Sequence, residues 1–290
     1  MFLRIAEILL PIFAIVAGGF AYGRWHKPEM AVANRLNMDV FVPALAFATL
    51  AGKSFALSAF SALALGAMLV IIIPGLIAWP LARWMGVAPK TLVPPMMFCN
   101  SGNMGLPLAL LTWGQEAMPA AIILFLVANT LHFSLGARML DPKARLLTLW
   151  RVPVMAASLA GFAVSQSGIE IWPPLLTSIR MLGEISIPLL LFALGVRMRD
   201  ISLTDWKLTF TGAAFRPLAG MLVAQCAIWL LDLEGRDAAM LLVFGALPPA
   251  VLNYLFAERY HQEPERVAAM VLVGNFSAIL FLPLALALTL

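Results

Sequence analysis

The sequence predicts an all-α polytopic membrane protein, with ten transmembrane helices arranged as two inverted five-helix repeats. Three observations predict it. Of 290 residues, 62% are hydrophobic and only 12% charged, where a soluble domain carries roughly 25% charged residues; mean hydropathy is +0.93. Ten apolar runs have about the length needed to cross ~30 Å of hydrocarbon as helices. Finally, the two halves of the chain share residue patterns in the same order. So apolar a soluble globule would expose large greasy patches and associate, which excludes soluble enzymes, DNA-binding proteins and disordered chains.

The runs cover 2–23, 34–51, 59–84, 91–112, 117–137, 152–168, 174–197, 207–231, 238–257 and 266–289, leaving no room for a soluble domain. None alternates with a period of two, which argues against a β-barrel. The first is a span rather than a signal peptide, because Glu7 offsets Arg4, no small-x-small cleavage site follows, and the run has an internal copy. Cys99 and Cys226, both inside apolar runs, exclude a disulfide framework.

Basic residues set the orientation. Arg24, Lys27, Arg35, Arg83, Lys90, Arg138, Lys143, Arg145, Arg151, Arg197, Arg199, Lys207, Arg259 and Arg266 flank the loops after odd-numbered spans, against only Arg4, Lys53 and Arg236 on the other side. The positive-inside rule puts the first set in the cytoplasm and both termini on the non-cytoplasmic side. The pI of 9.4 is therefore a topology signal, and no nucleic-acid partner is expected.

The repeat is read from matched residues. Span 1 has Pro11 eight residues before Gly19-Phe20-Ala21, and span 6 has Pro153 eight before Gly161-Phe162-Ala163. Spans 2 and 7 share Arg-x3-acid-x3-Pro-x3-Phe-Ala, in Arg35, Asp39, Pro43, Phe47 and Arg180, Glu184, Pro188, Phe192, at an offset of 145. Met68-Leu69-Val70 matches Met221-Leu222-Val223, and Asn129 matches Asn275. Pro95 stands five residues before Asn100, as Pro248 does before Asn253. Residues 1–137 thus form the first repeat, 138–151 a cytoplasmic loop, and 152–290 the second repeat. Five spans is an odd number, so the second repeat enters from the opposite side, a plan common in secondary transporters, where exchanging the halves' roles yields alternating access.

Spans 4 and 9 carry the candidate site. Pro94, Pro95, Gly102, Gly105 and Pro107 fall within one span, with Asn100, Ser101 and Asn103 among them; span 9 has Pro248-Pro249 and then Asn253. Broken backbone at membrane depth survives only where protein or a water-filled cavity satisfies it. A half-helix starting after a break offers free N–H groups that suit a carboxylate, and asparagine amides add donors. Asn129 and Asn275 fit either a site or interhelical bonding. Arg35 with Asp39, and Arg180 with Glu184, are spaced to meet on one helix face, as structural ion pairs or as coupling groups. Arg216 could balance an anionic substrate or pair elsewhere, and His132 is a candidate proton carrier or a satisfied core histidine. Gly19-x3-Gly23 fits close helix packing.

Other chemistry is absent. Gly52-Lys53-Ser54 resembles a P-loop end, but Phe47 stands where its first glycine belongs, so ATP is rejected. His26, His132 and His261 are far apart, so no metal cluster is visible, and no nucleophile motif appears. Neither an enzyme nor any cofactor is expected.

In Asn34-Arg35 with Pro43-Ala-Leu, Asn103-Met-Gly105-Leu-Pro107, Leu182-Gly183 with Pro188-Leu-Leu-Leu and Gly195, Ala246-Leu-Pro248 and Pro283, the chain resembles the auxin efflux carrier family, which includes plant PIN proteins and bacterial malonate-type transporters. The short 138–151 loop looks like the bacterial type. The resemblance implies crossed broken spans 4 and 9 in a mobile transport domain of spans 3–5 and 8–10. That domain would slide against a scaffold of spans 1, 2, 6 and 7 and carry an organic anion. By position it assigns Asn103, Gly105, Pro107, Pro248 and Pro249, with Asn129 beside them. The expectation is an inner-membrane secondary transporter of small mono- or dicarboxylates. Its partners are the lipid bilayer, the anion, a coupling H⁺ or Na⁺, and a second copy in a homodimer. A sodium-coupled symporter of the bile-acid type, a passive channel and a sensory membrane protein are the alternatives.

Overall fold

The computed structural model describes residues 1–51, 60–143, 152–198 and 205–290. The P-loop-like tripeptide at 52–54, Arg145, Arg151, Arg199 and most of the 138–151 loop lie outside the described residues. The elements of the described chain are helices. In the first half α1 is Phe2–His26, α2 is Ala31–Leu36, α3 is Val42–Ala51, α4 is Ser61–Trp84, α5 is Pro89–Met97, α6 is Leu106–Trp113, α7 is Met118–Leu131 and α8 is Ala137–Leu140. In the second, α9 is Pro153–Ser167, α10 is Pro173–Glu184, α11 is Ser186–Arg197, α12 is Trp206–Leu230, α13 is Gly235–Ala246, α14 is Leu252–Arg259 and α15 is Pro264–Thr289. Six continuous helical stretches have the length and hydropathy to cross a membrane: Phe2–His26, Ser61–Trp84, Gln115–Leu140, Pro173–Arg197, Trp206–Leu230 and Pro264–Thr289. Large apolar side chains such as Trp84, Trp229 and Leu280 point outward, as a lipid-facing surface requires. This is a multi-pass membrane protein.

Local chemistry explains the helix ends. Prolines open α5, α9, α10 and α15, where the missing N–H costs nothing and φ is already helical. Gly168 closes α9 in the left-handed region at φ 67°. The Asp205 carboxylate accepts the Leu208 N–H at 3.2 Å and caps α12.

Glycines let the helices approach in two sets. In one, α1 lies on α11 and α3 on α9 and α10. A Cβ on Gly19 would stand 2.2 Å from the Phe192 carbonyl oxygen, and one on Gly161 would stand 2.9 Å from that of Phe47. These contacts correspond: Gly19 and Gly161 end one repeated pattern, and Phe192 and Phe47 end the other. Gly23 likewise meets Val196 of α11. In the second set, α4 packs on α5 and α12, and α12 on α13 and α15. Gly220 and Gly245 bring α12 and α13 into backbone contact there, while Gly274 admits the ring of Pro249.

Candidate functional site

The two interrupted helices meet at their breaks. After Met97 the chain turns extended at Phe98 (φ −95°, ψ 112°), and after Ala246 it does so at Leu247 (φ −61°, ψ 140°). Cys99 then pairs antiparallel with Pro249. The Asn100 N–H donates to the Pro248 carbonyl at 2.7 Å, and the Ala250 N–H to the Phe98 carbonyl at 2.8 Å. Backbone groups freed by the breaks therefore satisfy one another deep in the protein, which is what membrane depth demands. The prolines are not where the helix stops: Pro94 and Pro95 lie inside α5 and the break follows Met97, because the Pro94 carbonyl still accepts the Phe98 N–H at 3.0 Å. Pro248 and Pro249 do lie in the extended segment, where no N–H is required of them.

This pairing sets a register that the proline spacing did not show. The two-fold relation implicit in an antiparallel bridge matches Cys99 to Pro249, hence Asn100 to Ala250 and Asn103 to Asn253. The two asparagines at matching distances past the bridge behave differently. Asn253 is 2% exposed, and its amide donates to the Phe98 and Ala250 carbonyls at 3.0 Å each. Asn103 instead lines a cavity of about 310 Å³ beside the crossing.

Three elements of the first half build that cavity, and each does so at a π-helical turn. Asn37–Phe41, between α2 and α3, contributes Asn37 and Met38; Ser101–Gly105 contributes Ser101, Gly102 and Asn103; His132–Gly136, after α7, contributes His132. Such turns widen the helix by one residue and recur at functional sites. Asn129 and Phe125 of α7, Leu194 and Arg197 of α11, Val251 before α14 and Leu255 within it complete the wall, which reaches the surface beside exposed Arg35.

The wall has a definite polarity. Among the described residues its charged side chains are Arg35 and Arg197, and no described Asp or Glu lines it. Asn37, 1% exposed, has an Oδ1 without a partner. The N–H groups of Gly102 and Asn103 have no hydrogen bond among the described residues; they open the half-helix that continues as α6, so they carry its positive dipole end. Amide donors, open N–H groups and two guanidinium groups suit an anion.

Of the residues singled out in sequence, Asn100, Asn103, Asn129 and Arg35 line this cavity. Asn275 stands behind it, 1% exposed, donating to the Pro249 and Val271 carbonyls (3.1 and 2.7 Å) and accepting from Asn100 Nδ2 at 2.7 Å. Asn253, Pro248 and Pro249 are buried in the crossing, and Pro107 is buried in α6. Gly105 borders a second void of about 20 Å³ with Trp113 and Leu247. Arg216 is fully buried and donates to the Gly245 carbonyl at 3.2 Å, bracing the C-terminal end of α13. Asp39, Arg180 and Glu184 are exposed and away from the cavity. The ion pairs among the described residues join Arg266 to Asp205 and Glu263, so Arg35–Asp39 and Arg180–Glu184 are not paired. For the first, the π-helical turn starting at Asn37 breaks the four-residue spacing that pairing needs; for the second, both side chains are exposed, where an ion pair gains little over water. Sequence reasoning passed over Asn37, near the start of the 34–51 run, and Arg197, which it counted only as a topology residue.

Among curated proteins none matches the chain significantly. Residues 143–286, most of the second half, match the profile of a family described as membrane transport protein, a family that includes the auxin efflux carriers. With the membrane-crossing helices, that match to a transporter family, which is not an enzyme family, indicates a multi-pass membrane transporter.

Proposed function

We propose that the protein is a secondary transporter moving a small organic anion, a malonate-like mono- or dicarboxylate, across the inner membrane by elevator-type alternating access. The observation that carries this reading is the cavity at the crossed breaks: among the described residues it presents Arg35, Arg197, the Asn103 amide and two open N–H groups, and no acid. A site with that lining attracts a carboxylate and repels a cation. Its volume suits a ligand of a few heavy atoms, at the small end of binding cavities.

The two packing sets support the elevator. Helices α1, α3, α9, α10 and α11 would form the scaffold; α4 to α8 and α12 to α15, which carry the crossing, would form the moving part. The corresponding Gly19–Phe192 and Gly161–Phe47 contacts favour a ten-span inverted repeat, in which the two end states have similar energy.

The test is counterflow of labelled malonate, succinate and acetate in proteoliposomes. Saturable exchange is expected with at least one of them; non-saturable leakage would indicate a channel, and a sodium requirement the bile-acid type. Asn103→Ala is expected to lose uptake while the protein still reaches the membrane and melts as the parent does. Unchanged uptake in that variant would remove Asn103 from the site.

A further inference from the structure

His132 is set into the cavity wall in a way that packing does not require. Its ring lies flat on Phe98 (centroids 4.1 Å apart, planes at 8°) and meets Phe256 edge-on at 4.9 Å. It is 4% exposed, and its Nε2 is buried with no hydrogen-bond partner. A phenylalanine would fill this aromatic slot without burying an unmet polar nitrogen, a cost native structures avoid unless the group has a use. The slot is made for a ring: a Cβ on Gly136 would fall 2.8 Å from Phe98 and 3.0 Å from His132.

The charges around it define that use. Arg35, Arg197 and the Cys99 thiol share the cavity with His132. On α14, which brings Phe256, the ionisable groups are Tyr254, Glu258 and Arg259; Glu258 and Arg259 are exposed, and the Tyr254 hydroxyl meets Glu258 at 3.3 Å. Arg138 on α8 is exposed, and Lys90 on α5 donates to the Leu140 carbonyl. Among the described residues no acid lines the cavity to compensate an imidazolium beside the two arginines. A carboxylate bound there supplies the missing negative charge.

We propose that His132 is the proton-coupling group of the anion site, so that the protein is a proton–anion symporter. This rests on the cavity being an anion site. An anion seated among Asn103, Arg35 and Arg197 favours the protonated ring relative to the empty cavity. Linkage is reciprocal, so a protonated ring favours the anion. The proton is taken from water in the open cavity, travels on the imidazole with the anion, and returns to water on the other face. No other bond is made or broken.

Malonate binding to the purified full-length protein tests this. Titration calorimetry at neutral pH, where malonate is already a dianion, is run in buffers of different ionisation heat, which counts protons taken up per anion bound. Wild type is expected to take up close to one proton, and its affinity to rise up to about tenfold for each pH unit lowered. His132→Phe, which keeps the aromatic stack, is expected to bind malonate with no proton uptake and a flat pH profile; His132→Gln provides the same measurement should the phenylalanine variant fold poorly. Wild type binding malonate without proton uptake overturns the proposal, as does unchanged uptake in the variants. If wild type binds none of malonate, succinate and acetate, the anion-site reading itself falls, an outcome distinct from binding without a proton.

Discussion

The asparagines of the crossing divide by where their amides turn, and that division predicts different phenotypes. Asn275 meets three groups at once, two carbonyls and the Asn100 side chain. Replacing it by leucine strands the Asn100 amide and the Pro249 carbonyl in the interior, at about 1–3 kcal/mol for each unmet group. Asn275→Leu is therefore expected to lower the melting temperature by several degrees in a thermal-unfolding assay, where Asn103→Ala leaves it in place. Equal melting of the two variants would contradict the split between supporting and site residues. Sequence could put all five amides in broken or polar spans, but not tell these classes apart. Side-chain direction depends on the register of the Cys99–Pro249 pairing, which comes from two segments 150 residues apart, and the matched prolines suggested a register three residues off. Asn103 and Asn253 stand four residues past the paired Cys99 and Pro249, yet one lines the cavity and the other is locked in the crossing.

Element packing was more legible, because small residues in a repeated pattern mark places where backbones touch. Gly18 and Gly19 are adjacent in α1, and composition cannot rank them. The repeat can: only Gly19 aligns with Gly161. A Cβ at 18 meets nothing within 4 Å, whereas one at 19 would sit 2.2 Å from the Phe192 carbonyl oxygen. Gly19→Ala must push α11 away or be rejected, an overpacking cost of about 1–3 kcal/mol or more. Gly18→Ala is expected to be neutral or to gain up to about 1 kcal/mol from helix propensity. Thermal unfolding of the two variants in detergent checks this; a Gly19→Ala protein as stable as the parent would mean that α1 and α11 are not in backbone contact. The π-helical turns, by contrast, leave no trace in composition. An α-turn and a π-turn share the same apolar residues and differ only in a hydrogen-bond register that tertiary packing selects. This is why Asn37, one of the cavity's polar groups, and the failed Arg35–Asp39 pairing were out of reach.

At the scale of the molecule, orientation and the direction in which the cavity opens are a single question. Arg35 and Arg197 belong to the basic set that flanks the loops after odd-numbered spans, and both line the cavity, which reaches the surface beside Arg35. If charge sets the insertion topology, the state described here opens to the cytoplasm and both chain ends lie on the opposite face. Single cysteines placed on a background with Cys99 and Cys226 changed to serine make this measurable in whole cells and inverted vesicles. Phe2→Cys and Leu290→Cys are expected to react with a membrane-impermeant maleimide only from outside, and Lys27→Cys and Arg138→Cys only from the cytoplasmic side. Asn34→Cys, on the cavity wall, is expected to react from the cytoplasm and to be shielded by a bound carboxylate. The two ends are the decisive pair. Ends that react from opposite faces require an odd number of crossings, and an odd total cannot be divided into two equal halves. The repeat would then have no inversion, the two conformations would lose their energetic equivalence, and alternating access would need another physical basis.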